Sequence, residues 1–112
     1  MLGCASVIVM DHKADIVKQI RRMVDFYAHE SCGQCTPCRE GSAWTAKILR
    51  RIEEGKGTEE DLDTLIEMTD QMVGTTICVL SDSVAAPVQS SINKFRDDYL
   101  ELIRGGERAG AA

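Results

Sequence analysis

The placement of the cysteines constrains this chain more than anything else in it. Three fall in the run Glu30-Ser31-Cys32-Gly33-Gln34-Cys35-Thr36-Pro37-Cys38-Arg39-Glu40-Gly41, and a fourth, Cys78, follows after 39 intervening residues. Thiols three apart come close together when the chain curls around a small object. Three of them can reach three corners of one cube, and the distant Cys78 supplies the fourth. The pattern C-x2-C-x2-C…C therefore points to a cubane iron–sulfur cluster, whose usual work is electron transfer. Structural zinc is the alternative. Such sites are mostly two C-x2-C knuckles or a Cys/His mixture, whereas here one half-site has three cysteines and the other one. A disulfide scaffold fits less well, because the cysteine count is five and C-x-x-C pairs inside cells read as metal or redox sites.

The neighbours of the thiols suit a cluster. Gly33 lets the backbone bend closely around it. Pro37 fixes one φ angle and is expected to delay the next helix. A 4Fe–4S core with four thiolates is a dianion, so Arg39 and a helix beginning near it would offset part of its charge. The fifth cysteine, Cys4, lies beside an apolar run and reads as a small buried residue. No basic or His neighbour marks it as a reactive thiol.

The chain's 112 residues bound the answer to one small domain. Aromatics make up only 4% of it, so the core must be aliphatic and modest, and a metal centre would also staple the fold. The net charge of −5 and the lack of a basic patch argue against a nucleic-acid partner. No apolar stretch approaches the length of a membrane span, so no direct membrane insertion is expected. No basic segment precedes the short apolar run at the N-terminus, so it does not read as a signal peptide. A soluble protein in a reducing compartment is expected.

Val7-Ile8-Val9-Met10 reads as a strand, although nothing later in the chain offers it a partner. A helix is expected from Asp11 to about His29, with Ile16, Ile20, Met23 and Tyr27 on one face and Asp11 or Asp15 as cap. A second runs from Arg39 to about Glu54 with Trp44, Ile48, Leu49 and Ile52 inward, stopped by Gly55. A third begins at the cap Thr58 and carries Leu62, Leu65, Ile66, Thr69, Met72 and Val73. A fourth spans about Val84 to Ile103, with Pro87 in its first turn and Val88, Ile92, Phe95, Tyr99 and Leu102 on one side. His29 reads as a helix-ending residue. The acidic run Glu53, Glu54, Glu59, Glu60, Asp61 and Asp63 reads as a solvated face.

The predicted fold is all-α: a four-helix bundle carrying one iron–sulfur cluster at one end, with a short N-terminal extended segment. The expected division is 1–11 as the trailing segment of a preceding domain, 12–104 as the cluster-binding bundle and 105–112 as a tail. The two cysteine loops join helices one to two and three to four. In an antiparallel bundle those connections share an end.

The words Val7-Ile8-Val9-Met10-Asp11, Phe26-Tyr27-Ala28-His29 with the whole first cysteine block, Thr76-Ile77-Cys78, and Pro87-Val88-Gln89 with Phe95-Arg96 resemble one family. It is the C-terminal iron–sulfur domain of the NADH- and FMN-binding flavoprotein subunit of respiratory complex I, NADH:quinone oxidoreductase. Related NAD-linked hydrogenases and formate dehydrogenases carry a similar domain. The resemblance implies one 4Fe–4S cluster on Cys32, Cys35, Cys38 and Cys78. It further implies electron transfer from reduced FMN, one electron at a time, to clusters in neighbouring iron–sulfur subunits. It places the protein on the peripheral arm of a membrane complex, on the cytoplasmic or matrix side. FMN and NAD would bind a missing domain or a partner chain, since no Gly-rich loop occurs here. The chain alone should be inactive toward NADH, and it is expected to be a fragment or a split-gene product. The family's Gly-Asp and Trp-Pro after the fourth cysteine are replaced by Ser81-Asp82 and Ala86-Pro87, and the smaller residue before Pro87 is expected to loosen packing beside the cluster.

Overall fold

The computed structural model of the chain describes residues 5–105. Cys4 and the end of the expected tail lie outside them. Among the described residues there are five helices and no strand: α1 Ile16–Glu30, α2 Thr36–Glu53, α3 Glu59–Met72, α4 Leu80–Lys94 and α5 Arg96–Ile103. The first four form the expected bundle, with α1 packed along α2 and α3 along α4. The short α5 folds back against them.

Local chemistry sets most of the helix ends. Asp15, not Asp11, caps α1, its carboxylate accepting from the Lys18 N–H at 3.0 Å. Asp11 closes a turn upstream by accepting from the Lys13 N–H. Thr58 caps α3 as expected, and its own N–H donates to the Asp61 carboxylate at 2.8 Å. Gly55 turns the chain out of α2 with φ +71°.

Several expectations change. Val7 to Met10 form no strand and lie exposed, because no described segment offers them a hydrogen-bonding edge. Helix α2 begins at Thr36, three residues early, with Pro37 in its first turn; there a missing N–H costs nothing. The single helix expected over 84–103 is two. It begins a turn upstream at Leu80 and breaks at Phe95, whose φ and ψ are −126° and 33°. Pro87 therefore sits inside α4.

The core is aliphatic, as composition required: Val17, Val24, Leu49, Ile52, Leu62 and Leu65 are fully buried, with Val84, Val88 and Ile92 facing them. Tyr99 joins them and ties its hydroxyl to Ser91 Oγ at 2.7 Å. On α1 the innermost face is Val17, Ile20 and Val24, while Ile16, Met23 and Tyr27 pack at its margin. Trp44, Val73 and Phe95 are not core residues; Trp44 is 53% exposed. Ala86 is exposed too, so the small residue before Pro87 opens no gap in the packing.

The acidic run is more than a solvated face. Glu53 pairs with Arg21 at 2.6 Å, and Arg21 also reaches Asp25 at 2.7 Å. The hydrogen bonds that Arg21 donates, to Glu53 first and then to Asp25, push its guanidinium above its ordinary pKa. Arg50 pairs with Asp25 from α2. Asp61 is buried and bound to Arg51, while Arg96 meets Asp63 and Arg104 meets Glu59. Each of these contacts between helices lies toward the end where α2 finishes and α3 begins, away from the cysteine loops.

Candidate iron–sulfur centre

The start of α2 and the end of α3, from which the two cysteine loops lead, pack together at a glycine. A Cβ built on Gly41 would lie 2.5 Å from Met72 Sδ and 2.9 Å from Met72 Cγ. A side chain there would have to push the Met72 side chain aside, so the first turns of α2 rest directly on the last residue of α3. Cys38 precedes this seat by three residues and Cys78 follows it by six.

The first loop spans residues 31–35. Ser31 caps the C-terminus of α1, its N–H donating to the Tyr27 carbonyl. Gly33 takes φ +79°, which L side chains resist, and so turns the chain between Cys32 and Cys35. Arg39 reaches back from α2 and donates from Nη1 to the Gly33 carbonyl at 2.7 Å, while its Nε meets Glu40 at 2.9 Å. Arg39 thus braces the loop as well as bringing positive charge to it. Cys35 is the N-cap of α2, and its carbonyl accepts the Arg39 N–H. Cys38 lies in the first turn, buried, with its Sγ 3.4 Å from Ser31 Oγ.

The second loop spans residues 73–79. The Gly74 N–H donates to the Asp82 carboxylate at 3.2 Å, which ties the loop to the start of α4. The Thr76 hydroxyl donates to the Cys78 carbonyl at 2.8 Å and meets the fully buried Ser81 hydroxyl at 2.5 Å. Ser81, one of the departures from the family pattern, is therefore part of the clasp that fixes the backbone of Cys78. Sequence reasoning gave no role to Thr76, Ser81 or Gly41. The close packing of small residues around a motif was the available signal.

All four motif cysteines are free thiols. Cys32 and Cys78 are exposed, Cys35 half-buried and Cys38 buried. His29 ends α1 as expected, exposed to solvent. Among the described residues, no three His, Cys, Asp or Glu side chains converge on a single metal ion. Helices α2 and α4 both begin at these loops, so their positive N-terminal ends face the same region. That field suits a dianionic centre.

One buried atom tests the fit. Ser42 Oγ is buried without a hydrogen-bond partner, one helical turn beyond Cys38 on the same face of α2. The other buried hydroxyls, on Thr45, Thr69, Ser81, Ser91 and Tyr99, all have partners. A sulfur acceptor beside α2 would give Ser42 the partner it lacks, and a set of four thiols is the donor chemistry of a 4Fe–4S cluster. Ser42→Ala should therefore act with opposite signs in the two forms. Urea unfolding of the metal-free chain should show equal or greater stability, by up to about 1 kcal/mol. The loaded chain should lose iron to a chelator faster than its parent.

Comparison with known proteins agrees with this reading. Residues 18–102 match the family described as the NADH-ubiquinone oxidoreductase-F iron-sulfur binding region. An NADH-quinone oxidoreductase subunit of Mycobacterium tuberculosis is 47% identical over 106 residues, covering 95% of this chain and 24% of that protein. The mitochondrial NADH-ubiquinone oxidoreductase 51 kDa subunit of Neurospora crassa is 52% identical over 103 residues, covering 92% of this chain and 21% of that protein. The chain thus spans about a quarter of the length of these relatives. A crystal structure of an NAD+-reducing [NiFe]-hydrogenase in the H2-reduced state contains a chain with the same fold. The TM-score is 0.81 at 33% identity, covering 89% of this chain and 18% of that one. A four-helix scaffold with two thiol-bearing loops, and a family match over residues 18–102, lead to one assignment: the chain belongs to the family of the NADH-ubiquinone oxidoreductase-F iron-sulfur binding region.

Proposed function

We propose that this chain is the electron-transfer module of an NADH:quinone oxidoreductase, with Cys32, Cys35, Cys38 and Cys78 as the four ligands of one 4Fe–4S cluster. The observation that carries the reading is the Gly41–Met72 seat, which brings the loops bearing these cysteines to one end of a single bundle. The cluster supplies one-electron chemistry when bound. The chain's own residues set its surroundings. Cys38 anchors the buried side, Cys32 and Cys78 lie toward solvent, and the N-terminal ends of α2 and α4 moderate the negative charge.

In this reading FMN and NADH bind the part of the protein that the relatives have beyond this chain. The flavin accepts a hydride's two electrons, and the cluster takes them one at a time toward neighbouring iron–sulfur subunits. Residues 12–104 act as the cluster domain, with 1–11 leading in from the flavin-binding part and 105–112 trailing. The setting is the peripheral arm of a membrane complex. Among the described residues, no helix is long and apolar enough to cross a membrane. The higher identity to NADH oxidoreductase subunits, 47% and 52%, favours this parent over a hydrogenase at 33%.

Iron, zinc and acid-labile sulfide analysis of anaerobically prepared protein, with EPR of the reduced sample, is the test. The expected result is about four irons and four sulfides per chain, the composition of a cubane, and a signal that appears on reduction. One zinc per chain, with no cluster formed on reconstitution with iron and sulfide, would make this a structural module instead. The chain by itself should not oxidise NADH.

A further inference from the structure

We propose that Ser31 is a positioning residue that raises the cluster's reduction potential by donating a hydrogen bond to Cys38 Sγ. The proposal rests on the reading above, in which Cys38 is a thiolate ligand. Ser31 Oγ and Cys38 Sγ are 3.4 Å apart, a hydrogen-bonding distance for an atom as large as sulfur. The direction of the bond follows from a second contact. The Gly33 N–H donates to Ser31 Oγ, also at 3.4 Å, which engages the oxygen as an acceptor. The one hydroxyl proton is then available to the sulfur, and a thiolate has no proton to offer in return. The Ser31 backbone is fixed as well, since it caps α1 through Tyr27. The hydroxyl is therefore held from two sides in the place where it meets the sulfur.

Burial makes this ligand the one where such a bond counts. Cys32 and Cys78 are exposed, so water replaces any donor lost beside them. Cys38 is only 7% exposed, and Ser31 is the hydroxyl seen against its sulfur. Reduction adds one electron and therefore one negative charge to the cluster and its thiolates. A hydrogen bond to a ligand sulfur is stronger when that sulfur carries more charge, so it favours the reduced form and raises the potential.

The test is a potentiometric titration of the loaded chain followed by EPR, with iron and sulfide measured on every sample. At the parent's midpoint, Ser31→Ala should lower the ratio of reduced to oxidised cluster by about threefold to tenfold. A tenfold change is about 59 mV for a one-electron couple. Ser31→Thr keeps the hydroxyl and should titrate with the parent. A fully loaded Ser31→Ala at the parent's potential would overturn the proposal and leave the ligand set standing. If alanine loads poorly, Ser31→Gly removes the same hydroxyl and is judged the same way. A readout on the parent needs no variant: exchange into D2O should shift an Fe–S(thiolate) stretch in resonance Raman, and the absence of any shift would overturn the proposal. Failure of the ligand reading looks different. There the parent takes up no 4Fe–4S cluster, or Cys38→Ser retains a complete one, and the role of Ser31 falls with it.

Discussion

Serine in place of Cys78 is expected to leave the chain without its 4Fe–4S cluster, with iron falling from about four per chain to a small residue and the visible band lost. The same change at Cys38 should do the same, but the two variants should differ in what remains. Cys78 is exposed on a loop whose backbone is clasped by Thr76 and Ser81. Its variant should keep much of its helical circular dichroism, because no core contact is removed. Cys38 is buried in the first turn of α2 beside the Gly41 seat. Its variant puts a more polar group there and should melt less cooperatively as well. In both, the binding free energy of the cluster no longer contributes to folding. Anaerobic iron and sulfide determination with thermal melts checks this. A complete, stable cluster in the Cys78→Ser protein would mean that some other side chain serves as the fourth ligand.

Gly41→Val should damage both the packing of the bundle and the cysteine end of it. Its Cβ alone would overlap Met72 Sδ and Cγ, and Met72 is only 2% exposed, with little free space to retreat into. Overpacking of this kind costs about 1–3 kcal/mol. Valine adds crowding on the helix and regains little of the flexibility penalty of glycine. A domain of this size should then lose roughly 4–8 °C of melting temperature per kcal/mol. The damage should not stop at stability. Displacing the end of α3 moves the loop that carries Cys78, so iron occupancy should fall in the same protein. Met72→Ala, itself destabilising, should recover both quantities when combined with Gly41→Val, because it removes the atoms that collide. Strict additivity in that double-mutant cycle would show that the two residues are not in contact.

The cysteine pattern, the caps at Thr58 and Gly55 and the number of long helices were legible in the sequence, because each depends on chemistry within a few residues. The facing of α2 was not. Its buried residues are Cys38, Gly41, Ser42, Thr45, Ala46, Leu49 and Ile52, which keep a helical spacing throughout. The half nearest the cysteines is small or polar, however, so a reading weighted by hydrophobicity prefers Trp44 and Ile48. That face is small because the helices approach closely there, a tertiary fact with no local signature. The break at Phe95 was hidden for a similar reason, since neither glycine nor proline marks it. Pro87 misled in the opposite direction. It reads as the start of a helix but is carried inside one that begins a turn and more upstream. Within the candidate site, the spacing of the four cysteines was evident. The hydroxyls of Ser31, Ser42, Thr76 and Ser81 were not, because a serine beside a metal motif looks like any other serine until its neighbours are known.

The cross-helix ion pairs give the bundle a polarity of adhesion. From Arg21 with Glu53 to Arg104 with Glu59, they gather at the pole opposite the thiols, and none of them needs iron. Exposed pairs are individually weak and fade with ionic strength, but a cluster of them bridging four helices holds one pole in register. The far pole is thus held by charge, and the thiol pole by the Gly41–Met72 seat and the clasp of Thr76 with Ser81. Salt and chelators should accordingly open the bundle from opposite ends.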